Sequence, residues 1–201
     1  MESDAVLSDP RYLVPSVPPG VSGVAWLRSA VARFSNGLDH RRRRALAVDA
    51  LDAVDPAGLR EAAAAADGPV EVLGKALGLP ESLADDVAVV ALSYQPHTEI
   101  TPEADAAVER LVVACGGRHD EATANRIGLL VQACVATKAL VAHLRNGDDD
   151  PPVASTRRVG PDGSTVEVDL TNAHFGAGEH ACPGRAHAFA IAAGLAAKSP
   201  Q

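Results

Sequence analysis

Aromatic side chains are scarce in this 201-residue chain, at 3% of it. Tyr12, Trp26, Phe34, Tyr94, Phe175 and Phe189 are the whole set, too few to build a stacking platform for nucleobases. Basic charge is also in deficit. Eighteen Lys and Arg stand against 26 Asp and Glu, and the net charge of −8 argues against a nucleic-acid partner. Cysteine is limited to Cys115, Cys134 and Cys182, an odd number without a Cys-x-x-Cys pair. That excludes a disulfide framework and points to a cytoplasmic setting. The Met-Glu-Ser-Asp start has neither a basic nor an apolar region of the secretory kind. No uncharged run reaches the roughly 18 residues that a membrane span needs, so no membrane is expected.

Alanine is present in excess, with 39 copies. Small, strong helix formers with few aromatics favour closely packed helices over a β-sandwich. The chain reads as one domain over 1–201, mainly α, with an irregular arm over 1–23 set by Pro10, Pro15, Pro18 and Pro19. Helices are predicted from Val24 to about Phe34, Asp39 to about Val54, Pro56 to Ala66, Val70 to Leu77 and Glu81 to Leu92. Asp55-Pro56 and Thr101-Pro102 supply caps with a first-turn proline, and Gly116-Gly117 ends the second of these helices. The longest periodic stretch runs from about Asp120 to Arg145, about 39 Å as a helix, with an apolar centre at Ile127–Val135. After Asp148-Asp149-Asp150-Pro151-Pro152 the pattern changes. Val153–Val159 and Thr165–Leu170 alternate as a hairpin around Gly160-Pro161-Asp162-Gly163. A Gly-rich loop and a final Ala-rich helix, Arg185 to about Ala197, follow.

That loop, Phe175-Gly176-Ala177-Gly178-Glu179-His180-Ala181-Cys182-Pro183-Gly184, sets a cysteine at the start of a helix. Backbone amides and a helix N-terminus favour a thiolate there, which makes Cys182 a metal ligand or a nucleophile. The segment resembles the heme-binding loop of the cytochrome P450 family, Phe-x-x-Gly-x-His/Arg-x-Cys-x-Gly, with Phe175, Gly178, His180, Cys182 and Gly184 at every specified position. The resemblance implies a reduced, truncated P450-like helical fold with one small β-hairpin. It implies heme b as cofactor, with Cys182 as the axial iron ligand. It sets His180 at a heme propionate and Phe175 beside the thiolate, with Gly176, Gly178 and Gly184 shaping the loop. His40 and Arg44, four apart on one helix face, resemble the family's His-x-x-x-Arg propionate pair. Arg157 aligns with the family's hairpin arginine, and Arg158 is the other candidate, since alternation turns only one to the heme. The long helix resembles the central distal helix and brings Ala133 to the cofactor.

The departures bear on activity. Where the family has an acid followed by an alcohol for proton relay, this chain has Val135-Ala136. No Glu is followed three residues later by Arg, so the family's Glu-x-x-Arg helix is missing. These losses argue against a reductase-type redox partner and routine dioxygen activation. They leave a heme-thiolate enzyme acting on a small molecule by peroxide-dependent or redox-neutral chemistry, with a homo-oligomer left open. His97, His119 and His143 are candidate distal acid/base groups. Two alternatives stand beside this: a catalytically silent heme-binding sensor, carrier or scaffold, and a zinc site built from His174, His180, Cys182 and His187.

Overall fold

The computed structural model describes residues 3–147 and 152–198. The Asp148–Pro151 part of the linker therefore lies outside the described residues. The helices start where short polar side chains can occupy the first free amides. Asp55 accepts from the Ala57 and Gly58 amides, Thr101 from Ala104, and Asp120 from Thr123. The resulting elements are α2 (Gly23–Ala30), α3 (Gly37–Asp52), α4 (Pro56–Ala63), α5 (Pro69–Ala76), α6 (Ala84–Leu92) and α7 (Pro102–Ala114). They are followed by α8 (Glu121–Gln132), α9 (Lys138–Asn146) and α10 (Arg185–Ala196). The helix predicted to reach Phe34 stops at Ala30, and a single 3₁₀ turn, Ala32–Phe34, links it to α3.

The long central helix is continuous from Glu121 to Asn146, but its middle, Ala133–Thr137, is wound as a π-helix. Such segments open the i→i+4 ladder and recur at functional sites. By length and hydropathy this 26-residue run could cross a membrane, and half of its most apolar window is buried inside the fold.

Fully buried Leu27, Leu111, Ile127, Leu130 and Ile191 join α2, α7, α8 and α10 in one core. α10 packs chiefly on α4 and α9, α3 on α8, and α6 on α7. The alanine excess has its counterpart here. Ala63 and Ala192 are fully buried, and a Cβ on Gly194 would collide with the Arg60 carbonyl and the Ala63 methyl. Small residues thus let α10 approach α4 closely.

The hairpin pairs β1 (Ser155–Val159) antiparallel with β2 (Thr165–Asp169), Arg158 facing Val166 and Arg157 facing Glu167. The arm expected to be irregular is partly ordered. Ser3–Ser8 forms a short helix, α1, whose Val6 and Leu7 bury with Val168 and Leu170 in a second small core. Leu13 bridges to Val159, and the Asn36 side chain both donates to and accepts from the Val14 backbone. The apolar Val6-Leu7 pair outweighs the prolines that follow it. The arm is thereby tied to the hairpin and to the start of α3.

Candidate functional site

Four elements converge on the cysteine loop. Within it, the Cys182 amide donates to the Phe175 carbonyl at 2.8 Å and the Ala181 amide to Gly178 at 3.1 Å, closing a compact turn. Gly178 has φ +65°, and a Cβ there would stand 2.6 Å from the Leu7 carbonyl of α1. Only glycine satisfies both the backbone angle and the contact. Beyond the loop, α10 begins at Arg185.

Cys182 is open to solvent. Protein atoms crowd its other sides, and this burial pushes the thiol up, against the pull of the Gly184 amide, Arg44 and Arg33. The direction is opposite to the one expected from amides and the helix terminus alone. Coordination to a metal ion reverses the balance, since a ligating thiol is deprotonated outright.

His40 and His180 stack, with ring centroids 3.9 Å apart. His40 is 2% exposed and its Nδ1 has no hydrogen-bond partner. Burial first, then Arg44, hold His40 below the usual imidazole range. His180 is pushed down to about 3 by burial, by His40, and by Arg158, Arg44 and Arg33. Arg44 lies one turn beyond His40 on α3. From the hairpin, β1 buries Arg158 to 6% exposure and turns Arg157 to solvent. The arginine on the cluster side is therefore Arg158, whereas the sequence alignment favoured Arg157. Among the described residues Arg158 donates only to neutral oxygens, Thr156 Oγ1 at 3.2 Å and the Arg157 carbonyl at 3.0 Å.

A fifth member, Arg33, stands in the 3₁₀ turn before α3, its guanidinium 5.7 Å from the Phe34 ring centroid. No motif marked it. Its signal is positional: it lies in the turn that leads into the helix of His40 and Arg44. Among the described residues no carboxylate pairs with Arg33, Arg44 or Arg158. The one acid nearby, Glu179, is matched by Arg41 at 3.8 Å. The result is an accessible thiol beside three uncompensated cations and an imidazole nitrogen lacking a partner. Arg158 is the buried one of the three, and a buried cation without a counter-charge is costly, a cost that an anionic group would offset.

The remaining candidates lie elsewhere. Ala133 is buried in the main core, and the Val135 side chain is 57% exposed. His97 is exposed on the α6–α7 connection, and His119 bonds Glu109 and meets the edge of Trp26. His143 packs edge-on against His174. His187 Nε2 lies 3.0 Å from both the Leu51 and Val54 carbonyls. The four residues weighed for zinc therefore do not converge, and among the described residues no group of three metal-ligating side chains forms. Phe175 packs on Phe189 at 5.0 Å, and Arg185 lies over both rings. They help line a depression of about 390 Å³ that neither Cys182 nor His180 reaches.

No protein-family model matches the chain, and no curated protein matches it in sequence. Solved structures do match in shape. One is P450BioI in complex with acyl carrier protein ligated to hexadec-9Z-enoic acid, with TM-score 0.60 and 17% identity over 96% of this chain and 81% of that one. Another is CxnD, a cytochrome P450 enzyme for C–S bond formation in chuangxinmycin biosynthesis, with TM-score 0.56 and 14% identity over 96% and 76%. The fold is P450-like. At these identities the likeness is one of architecture: a mainly helical P450-like fold with one two-stranded hairpin.

Proposed function

We propose that this chain is a heme-thiolate enzyme of the P450 type, with Cys182 as the axial ligand of heme b and residues 1–201 acting as one reduced heme-binding domain. The observation that supports it most is the set of unpaired cations, Arg44, Arg158 and Arg33, beside the stacked His40–His180 pair and the accessible Cys182. Heme presents two carboxylates and an iron, which match that donor set. In this reading Arg44 and Arg158 face the propionates, and Arg158 takes the role that the resemblance gave to Arg157. His40 and His180 offer ring N–H groups to the same carboxylates. Phe175 and the loop glycines Gly176, Gly178 and Gly184 shape the proximal side.

Bound heme supplies ligand binding and Lewis-acid or redox chemistry at its iron, with the thiolate donating electron density to the metal. The chain's own contribution is to hold the carboxylates, fix the sulfur in its turn and set the polarity above the iron. Ala133–Thr137 offers no carboxylic acid at the middle of the central helix, and Val135-Ala136 can move no proton. That favours peroxide as a co-substrate, or a redox-neutral reaction, over a reductase-fed cycle, and a small molecule as substrate. Three unpaired cysteines support a reducing, cytoplasmic setting.

Hemin titration tests the reading. A Soret band at one heme per chain is expected, and the reduced CO complex should show a thiolate-ligated spectrum that Cys182→Ala abolishes. Loss of hemin binding on that substitution is not needed; persistence of the thiolate spectrum would overturn the assignment. Turnover with peroxide but not with ferredoxin, reductase and NADPH is the expected activity pattern. The same missing acid also favours a second reading, a catalytically silent heme carrier or sensor, which a thiolate spectrum without turnover under either oxidant would support.

A further inference from the structure

The N-terminal arm touches, in one short stretch, every segment that carries the Cys182, His180, Arg158, His40 and Arg44 side chains. At α1 it meets the cysteine loop so closely that a Cβ on Gly178 would lie 2.6 Å from the Leu7 carbonyl and 2.9 Å from the Ser8 Cα. Further on, the Leu13 amide donates to the Val159 carbonyl at 2.9 Å, and the Val159 amide returns a bond to Leu13 at 2.8 Å. Val159 is the neighbour of Arg158 on β1. The next residue, Val14, exchanges two hydrogen bonds of 2.9 Å with the Asn36 side chain. Asn36 is the N-cap of α3, the helix of His40 and Arg44, yet it makes no side-chain bond to that helix. A side chain in that place ordinarily accepts from the first free amides of its own helix. Here it holds the arm instead. The anchorage also stands apart from the main core. Val6 and Leu7 bury with Val168 and Leu170 in a cluster of their own, and no helix or strand forms over 15–22. A small cluster joined to the body by irregular chain opens at a lower free energy than the whole fold does.

We infer that residues 3–14 form a strap that holds the cysteine loop, β1 and the start of α3 at fixed spacing, with Leu7 and Asn36 as positioning residues, and that opening of this strap sets how fast the cofactor leaves. The retention role rests on the heme-thiolate reading. The strap itself does not, because its three ties are contacts within the chain. A ligand held by groups from separate segments dissociates when one of those segments moves away, so a single opening that frees all three governs the off-rate.

Amide hydrogen exchange on the heme-free full chain tests the strap. The Leu13 and Val159 amides, bonded to each other's carbonyls, and the Cys182 amide, bonded to the Phe175 carbonyl, are expected to exchange through one shared opening. Leu7→Ala should speed all three by at least about 30-fold, through the cavity left in the small cluster. The milder Asn36→Ala should speed them about tenfold, through loss of its two bonds to Val14. The Leu111 and Ile127 amides of the main core should keep their rates in both variants. Release of hemin from the loaded protein to excess apomyoglobin tests retention. Both arm variants should release it at least about tenfold faster. Val108→Ala, which opens a cavity in the main core on α7, should leave the release rate and the three arm-linked amides as they are in the parent. The strap is overturned if the Cys182 amide ignores both arm variants, or if the main-core amides accelerate with it. The retention role is overturned if Val108→Ala speeds release as much as the arm variants do, or if the arm variants release hemin at the parental rate. A chain that never acquires a Soret band removes the heme reading and the retention role together, and the exchange rates, measured without heme, still uphold or overturn the strap.

Discussion

At the scale of single residues, the site is organised by charges held against their own stability. Arg158 is 6% exposed, is bonded among the described residues only to a hydroxyl and a carbonyl, and lies within the field of Arg33. In a heme-free chain such a cation is a liability, because its desolvation is not offset by a counter-charge. Arg158→Met keeps most of the volume and removes the charge. The substitution is expected to stabilise the heme-free protein by about 1 kcal/mol. It should also weaken hemin binding about tenfold, through loss of a charge-assisted bond to a carboxylate. Urea unfolding and hemin titration on the same preparation check the two signs. A variant that is less stable and binds hemin unchanged would mean that Arg158 is structural. Which arginine fills this role was only half legible in the sequence. Strand alternation said that one of Arg157 and Arg158 faces inward, but not which, because the choice is set by where Leu13 bridges Val159 and where β2 pairs. Arg33 matched no motif, and its one signal was its place just ahead of the helix of His40 and Arg44. It sits in a single 3₁₀ turn, and only the folded chain brings it to the His180 side.

At the scale of elements, α3 must stay docked on α8 for His40 and Arg44 to remain in place. The dock is an ion-pair group rather than a wide apolar seam, since α3 buries only His40, Ala47 and Leu51. Glu121, in the first turn of α8, accepts from Arg42 at 2.7 Å and from Arg43 at 2.8 Å. Hydrogen bonds from Arg42, ahead of those from Arg43, hold its carboxyl down to about 2 despite partial burial. A depressed acid contributes stability above its unfolded value and loses it as pH falls toward its folded one. The contribution of Glu121 is thus complete above about pH 4.3 and fades toward about 2. Because Arg42 is 54% exposed, solvent screening limits the effect. Glu121→Gln should cost about 1 kcal/mol at neutral pH, with the gap to the parent protein closing as pH approaches about 2. Chemical denaturation across that range checks it. Most elements could be read from sequence because their signals are local: Asp55-Pro56, Thr101-Pro102 and Asp120 each cap the predicted helix. The π-wound segment Ala133–Thr137, which packs against α5, α6 and α10, could not, since Ala-Cys-Val-Ala-Thr continues the helical pattern without a break. The helix α1 was hidden by the prolines after it, its order depending on a hairpin some 150 residues away in the chain.

At the scale of the whole molecule, one main core supports a site whose groups come from widely separated segments: the turn at Arg33, α3, the hairpin and the cysteine loop. The connection from α9 to β1 spans only the eight residues between Asn146 and Ser155, so the hairpin follows the central helix directly. The site's cations repel one another and nothing in the described chain neutralises them. A ligand that brings negative charge and a large apolar plane therefore relieves repulsion and joins the four segments at once. In the proposed reading heme does both, and its binding free energy would then appear as folding stability by mass action. At free hemin about 100 times its dissociation constant, the gain is about 2.7 kcal/mol. For a chain of this size each kcal/mol moves the midpoint by about 2–4 °C, so thermal unfolding should shift upward by about 5–11 °C. Cys182→Ala should give a smaller shift at the same hemin concentration, because the iron loses its ligand while the propionate contacts remain. Calorimetry with and without hemin measures it. Equal shifts in the two proteins would place heme on the cationic cluster without iron–sulfur ligation. No shift in either would leave the cluster serving some other anion.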